Sequence, residues 1–294
     1  MDINLDYYKI FYYAAKCGSI SGAAKELFIT QPAVSQAIKL LEGKLGGQLF
    51  FRTPKGIVLT KEGEVFYKYI EQAFNFIITA ENKFFEAKNL MSGEIRIGAS
   101  DTLCKYYLIP YLKQFNSKYP KVKMQVTNRT TLETIELLRY GKIDIGIINL
   151  PIDDDKNITI LKSLPIQDCF VVGEKYKALS KDKMTLQEIK DYPILLLERG
   201  SSIRNFIDNY AKECGVDLIP EIELGSIDLL VEFAKIGLGV SCVVKNYVQD
   251  ELKRNQLYEI KLKETIPQRN IGVIALKNFP ISTAAREFLE LLQD

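Results

Sequence analysis

Apolar residues at Phe66, Ile70, Ala73, Ile77, Ala80, Phe84, Ala87 and Met91 recur at alternating spacings of four and three. This is the a/d pattern of a heptad repeat, sustained for nearly four heptads, and it commits the segment to one long helix with a single apolar seam. Thr60 can cap that helix, Glu62 and Glu64 suit its first turn, and Ser92-Gly93 ends it. A helix of this length divides the chain into a short part before it and a long part after it. One amphipathic helix lying on its own domain would satisfy the same pattern, but the length and regularity of the seam favour pairing with a second copy of the chain.

Composition removes several classes of function. The 294 residues suffice for two or three domains, and 47% hydrophobic with 26% charged residues is ordinary for a globular protein. There is no histidine, which removes imidazole-based triads and histidine metal sites, so no metal site is expected. Cys17, Cys104, Cys169, Cys214 and Cys242 stand far apart with no CxxC, which suits a reducing cytoplasm. Two acids precede the first base at the N-terminus, so no signal peptide is expected. No run approaches the apolar length of a membrane-crossing helix, so a cytoplasmic protein with no membrane partner is expected.

Charge is informative only locally. From Lys25 to Lys61 the bases are Lys25, Lys39, Lys44, Arg52, Lys55 and Lys61 and the acids only Glu26 and Glu42, a net +4 in a chain whose total is +2. A small basic module on a near-neutral body points to a polyanion-binding head.

Patterning sharpens that reading. Leu5, Tyr8, Phe11, Tyr12 and Ala15 recur at helical spacing, and Gly18 ends the helix. Ser21 is expected to cap a second short helix that turns Ala23, Ala24 and Leu27 inward. After the turn Phe28-Ile29, Thr30 caps a third helix with Pro32 in its first turn. Val34, Ile38, Leu41 and Leu45 form its apolar stripe, and Gln31, Ser35, Gln36 and Lys39 its polar face. Two helices joined by a tight turn, the second with such a face, read as helix-turn-helix. A surface helix of any small bundle would fit equally well. The strand-like runs Leu49–Arg52 and Ile57–Leu59, joined by Thr53-Pro54-Lys55-Gly56, decide the matter by adding a wing.

Ser19 to Gly63 resembles the winged-helix head of LysR-type transcriptional regulators. The likeness lies in Ala23-Ala24, Leu27, Gln31-Pro32-Ala33-Val34-Ser35, Ile38, Leu41-Glu42, Leu45-Gly46, Leu49-Phe50, Arg52, Leu59-Thr60 and Gly63. Gly47 departs from it, where the family often packs a small apolar residue. The resemblance implies a reader of double-stranded promoter DNA. The residues expected at the duplex are Thr30, Gln31, Pro32, Ser35, Gln36, Lys39, Arg52, Thr53 and Lys55. In the family the following helix is the dimerisation linker. A homodimer, assembling further into a homotetramer, is therefore implied, with RNA polymerase as a further partner.

From Glu94 onward strand and helix patterns alternate, which is α/β logic with a largely parallel sheet. Strands are expected near Ile95–Ala99, Val122–Thr127, Ile143–Asn149, Phe170–Val172, Ile194–Leu197, Ile222–Leu224, Val240–Val244 and Ile271–Leu276. Leu103–Lys118, Leu132–Tyr140 and Thr283–Leu292 read as helices. GEIRIGASDTL, Phe115 with Tyr119-Pro120, Gly141–Ile147 and Gly237–Ser241 resemble the two-lobed, periplasmic-binding-protein-like effector domain of the same regulators. The fold class expected is thus an α+β winged helix-turn-helix head, a long linker helix and a two-lobed α/β body. The domains are 1–59, 60–92 and 93–294. Lobe one would comprise 93–163 and 269–294, and lobe two 164–268.

Ligands of α/β sheets sit beyond the carboxyl ends of strands, at helix N-termini. The candidates there are Ser100, Asp101, Thr102, Thr127, Asn128, Asn149, Ser201, Ser202, Arg204 and Ser226. Each is also an ordinary capping or turn residue. Family likeness places Ser100, Thr102, Ser201 and Ser202 in an effector pocket. Hydroxyls and an arginine suit an anion, whereas Asp101 suits an ammonium group, so a small polar or anionic metabolite is expected, with no cofactor. Cys104 is the one tempting nucleophile, but no histidine is there to activate it, so no catalytic residue is expected. Alternatives are a thiol-sensing regulator of the same family, through Cys104–Cys169 or Cys169–Cys214, and a solute-binding protein, which the winged head argues against.

Overall fold

In the computed structural model residues 3–54, 56–88, 93–153 and 155–292 are described. The chain forms two compact units, the N-terminal head with its long helix and the α/β body. The head opens with helices α1 (Leu5–Cys17), α2 (Ile20–Leu27) and α3 (Gln31–Leu45). The amide of Gly18, at φ 62°, closes the last turn of α1 on the Ala15 carbonyl. The cap of α2 is Ser19, not Ser21. Its backbone is extended and its hydroxyl accepts from Gly22 N at 2.9 Å. Thr30 caps α3 as expected. Phe11, Ala23, Val34 and Leu41 are fully or almost fully buried, whereas Leu5 is 77% exposed and Ala14 fills the inward position. Leu45, at the far end of the α3 stripe, is also exposed.

Strands β1 (Phe50–Thr53) and β2 (Gly56–Leu59) pair as an antiparallel hairpin, the wing. The Thr60 hydroxyl accepts from Gly63 N and donates to the Gln48 carbonyl, so one buried side chain ties the wing to the start of α4 (Lys61–Lys88). The heptad seam then divides. Phe66 and Ile70, with Tyr67 and Phe74, pack on the head core. Ile77 and Phe84 are 50% and 63% exposed, and Ala73 and Ala80 of the same seam are exposed with them. The side chain of Ala87, and both Met91 and the helix end at Ser92, lie outside the described residues.

The body begins with β3 (Glu94–Ala99) and α5 (Asp101–Leu103), then a π-helical turn over Cys104–Leu108 and α6 (Ile109–Lys118). The expected single helix from Leu103 is widened because Pro110 has no N–H to donate, and Ile109 N reaches back five residues to Cys104 O. There follow β4 (Lys123–Asn128), α7 (Thr131–Arg139), β5 (Ile145–Asn149), β6 (Ile158–Ile166), β7 (Asp168–Val172), α8 (Leu186–Ile189), β8 (Ile194–Leu197) and α9 (Ser202–Glu213). The chain ends with β9 (Ile222–Leu224), α10 (Ile227–Lys235), β10 (Val240–Val244), α11 (Gln249–Lys253), β11 (Tyr258–Ile260), β12 (Arg269–Leu276) and α12 (Thr283–Leu291).

These strands make two five-stranded sheets, β4-β3-β5-β12-β6 and β11-β7-β10-β8-β9, one per lobe. Both are mixed rather than largely parallel. β3 runs parallel to β4 and β5, but β12 is antiparallel to β5 and β6. In the second lobe β8 is parallel to β9 and β10, and β7 antiparallel to β10 and β11. The reversed strands are those next to the two passages between lobes. β6 carries lobe one as far as Ile166, beyond the expected 163, and the chain crosses at Gln167. Pro165 lies in β6, which is tolerated because β6 is an edge strand.

Candidate functional site

On the head, the polar face of α3 and the wing meet along a groove of about 480 Å³. Ser35, Lys39 and Glu42 line it from α3, and Gln48, Phe51 and Arg52 from the wing side. Its floor is apolar, with Ile38, Phe50 and Ile57. The spacing of Ser35 and Lys39, one helical turn, puts both on this face. Glu42 has a different duty: its carboxylate accepts from Leu49 N at 2.8 Å and Phe50 N at 3.3 Å, which fixes β1 against the helix. Gln31, Pro32 and Gln36 are exposed on α3. Thr30 spends its hydroxyl oxygen on the cap, and Thr53 donates to the Gly56 carbonyl inside the wing turn. Lys55 lies outside the described residues.

In the body, strand pairing collects the candidates into two groups. The register Gly98↔Thr127 and Ala99↔Asn128 sets Thr127 and Asn128 beside Ser100, Asp101 and Thr102, and the Asn128 amide donates to Asp101. In lobe two, the register Leu197↔Leu224 brings the segment holding Ser201 and Ser202 beside Ser226. Ser100, Ser201 and Ser226 all act as helix caps, accepting from Leu103 N, Arg204 N and Leu229 N. Thr102 and Ser202 are half-buried in first helical turns.

Arg204 does not belong to this group. Its side chain is 1% exposed and is held by Asp208 at 2.8 Å, the Leu197 carbonyl at 2.7 Å and Glu223 at 2.5 Å. A guanidinium so enclosed is a structural tie among α9, β8 and β9, not a free anion receptor. Asn149 is likewise committed, because its side-chain oxygen accepts from Arg269 Nη1 at 2.7 Å.

Several contacts between the lobes had no signal in the sequence. Arg269 donates to both oxygens of Asp168 where the chain passes between lobes. Gln167 at the crossing donates to the Ile266 carbonyl. Lys105 and Tyr106, on the π-turn of lobe one, both reach Asp228 in the first turn of α10. Burial opposes the Asp228 charge, but hydrogen bonds from Lys105 and Tyr106 outweigh it and hold the carboxyl below its usual range.

Three of the thiols are held in their protonated form. Burial and the Asp101 charge raise Cys104, and burial raises Cys169 and Cys242 further. Cys169 and Cys214 pack in clusters on opposite faces of the lobe-two sheet, and Cys104 packs in lobe one.

Two family profiles match the chain: "Bacterial regulatory helix-turn-helix protein, lysR family" over residues 5–64 and "LysR substrate binding domain" over 88–294. The chain belongs to the LysR family of transcriptional regulators. It is therefore a regulator with a DNA-binding helix-turn-helix and an effector-binding domain, not an enzyme. Among its relatives, a probable RuBisCO transcriptional regulator of Emiliania huxleyi is 26% identical over 99% of this chain and 96% of that protein. The HTH-type regulator YeiE of Escherichia coli K12 is 28% identical over 99% of this chain and 97% of its own. In fold, full-length OxyR from Pseudomonas aeruginosa matches with a TM-score of 0.73 at 19% identity, covering 99% of this chain and 95% of that one. Full-length CbnR in complex with its target DNA matches with 0.66 at 18% identity, covering 98% of each chain. The effector-binding domain of QuiR in complex with shikimate matches with 0.59 at 20% identity, covering 68% of this chain and 95% of that one. Among the described residues no helix is long and apolar enough to cross a membrane.

Proposed function

We propose that this LysR-type regulator reads promoter DNA as a homodimer, further paired into a tetramer, under the control of a small polar metabolite. Residues 1–59 form the reader, 60–92 the pairing helix and 93–294 the sensing body. The observation that carries the first part is the shared groove: Ser35 and Lys39 of α3 and Arg52 of the wing line one channel. A recognition helix enters the major groove while a flanking wing grips the strand beside it, so this channel suits the sugar-phosphate backbone between them. Gln31, Pro32 and Gln36 then face base edges, with Thr30 at the helix start, and Lys39, Arg52, Thr53 and Lys55 hold phosphates. CbnR, a structural neighbour over 98% of each chain, has been solved in complex with its target DNA.

The effector seat is the crevice between the lobes, with Ser100, Thr102, Ser201 and Ser202 as its hydroxyl lining and Asp101, Thr127, Asn128 and Ser226 around it. With Arg204 enclosed, helix N-terminal amides and hydroxyls carry the recognition, which suits a neutral or zwitterionic polar metabolite at least as well as an anion. Coupling of effector to DNA binding is worth about 1–3 kcal/mol in such systems. The protein works in the cytoplasm, where RNA polymerase is its further partner.

Selection of duplexes from a randomised library by the full chain tests the reader. Gln36→Ala should alter preference at one or two base pairs by roughly 1–3 kcal/mol, whereas Lys39→Ala should weaken all sequences alike and flatten the salt dependence. An unchanged selection profile for Gln36→Ala removes it from the recognition face.

A further inference from the structure

The two lobes touch at two polar points of different character. At the crossing, Arg269 and Asp168 are enclosed, with side chains 2% and 0% exposed. At the strand ends, Lys105 Nζ lies 2.7 Å and Tyr106 Oη 2.5 Å from the same Asp228 oxygen, and the Lys105 and Asp228 side chains are 53% and 46% exposed. Separating an enclosed ion pair leaves charges stranded, whereas a pair open to water is resolvated at once. Separating the lobes would therefore cost less at Asp228 than at Arg269–Asp168.

Tyr247 joins the two points. It leaves lobe two just after β10 and packs against the lobe-one core. Its ring stacks on Tyr106 with centroids 4.3 Å apart and planes within 7°, and its hydroxyl is in electrostatic reach of Arg269 and Asp168. The Tyr106 ring is thus held on its face by one residue of lobe two and at its hydroxyl by another. The π-turn that presents Lys105 and Tyr106 follows directly on Ser100–Thr102, and Asp228 lies two residues beyond Ser226. The contact consequently spans the mouth of the proposed effector crevice.

We propose that Asp228 is a breakable latch across the effector crevice: with Lys105 and Tyr106 it holds the lobes together, and a ligand enters by parting it. The latch rests on the crevice proposed above for its purpose, but its existence is measurable with no effector present. Asp228 is a gating residue, and it needs no contact with the ligand to set the apparent affinity. Weakening it raises the open fraction of the protein.

The chain contains no tryptophan, so Tyr247→Trp places a single indole on Tyr106 in the full-length protein. Adding Asp228→Ala should raise acrylamide quenching of that indole at least threefold and shift its emission to the red. Adding Tyr106→Phe, which keeps the ring but loses the donor, should give an intermediate rise. Quenching unchanged by Asp228→Ala overturns the latch. Hydrogen–deuterium exchange of the otherwise unaltered full chain against Asp228→Ala supplies a second reading. Exchange should accelerate about tenfold in 104–108 as well as in 226–230, on opposite lobes, with 94–99 unchanged. Acceleration confined to 226–230 means that Asp228 merely supports its own helix, and overturns the proposal. Loss of duplex selection by the wild type would sink the DNA-reading function and leave both of these measurements intact.

Discussion

Arg269 donates Nε to one oxygen of Asp168 at 2.5 Å and Nη2 to the other at 2.9 Å, closing a two-pronged ion pair between the first residue of β12 and the first residue of β7. The two residues begin the strands that the chain enters on its two passages between lobes, so the pair joins both passages. Asn149 adds a third bond from the end of β5.

Removing one partner of this pair should be far worse than removing both. Asp168→Ala strands a buried guanidinium and should destabilise the body by about 3–5 kcal/mol, whereas Asp168→Leu with Arg269→Met should recover most of that loss. Urea unfolding of the full chain, followed by circular dichroism, measures both. A double variant as unstable as the single one would mean that the pair is worth its full cost to the fold.

Acid should weaken the body through Asp155. A bond from the Asn157 backbone N–H, and then the Arg139 side chain, hold its carboxyl below the usual range. A depressed folded value makes its stabilisation complete above the unfolded value of about 4 and lost as pH falls through the folded one. Asp155→Asn should accordingly melt below wild type at pH 6, and the gap should shrink towards pH 3. A gap that is constant with pH would show that the charge contributes nothing.

Thiol chemistry should be slow. The attacking species is the thiolate, and raised values at Cys104, Cys169 and Cys242 deplete it near neutral pH. Mass spectrometry after brief iodoacetamide treatment at pH 8 should find Cys169 and Cys242 unmodified until the protein is unfolded. Mild peroxide should produce neither a Cys104–Cys169 nor a Cys169–Cys214 disulfide. Detection of either bridge would restore the thiol-sensing alternative.

Pairing into the dimer should depend on the far half of α4. Ile77→Asp with Phe84→Asp charges the exposed part of the seam. Light scattering should then report a smaller particle with an unchanged helical head. Ile70→Asp should instead unfold the head, because Ile70 packs on its core. A wild-type mass for the Ile77/Phe84 variant would place the pairing surface elsewhere.

What the amino-acid order determined by itself is most of what is set within a turn or two of backbone. Spacing in the first sixty residues carried the three helices and the wing, Thr30 and Thr60 announced their caps, and alternating runs located most strands of the body within a residue or two. The failures were also local: the edge strand β6 was not among those expected, Ser21 stood two residues from the true cap, and a π-turn stands where periodicity reads as plain helix. Tertiary structure alone decided where charges end. Arg204 looked free at a helix start until folding set Glu223 beside it. Asp168 meets Arg269 across 101 positions, and Asp228 meets Tyr106 across 122. The apolar period of a segment depends only on its own backbone geometry. The partner of a charge depends on which strand ends are brought together and how much water remains between them.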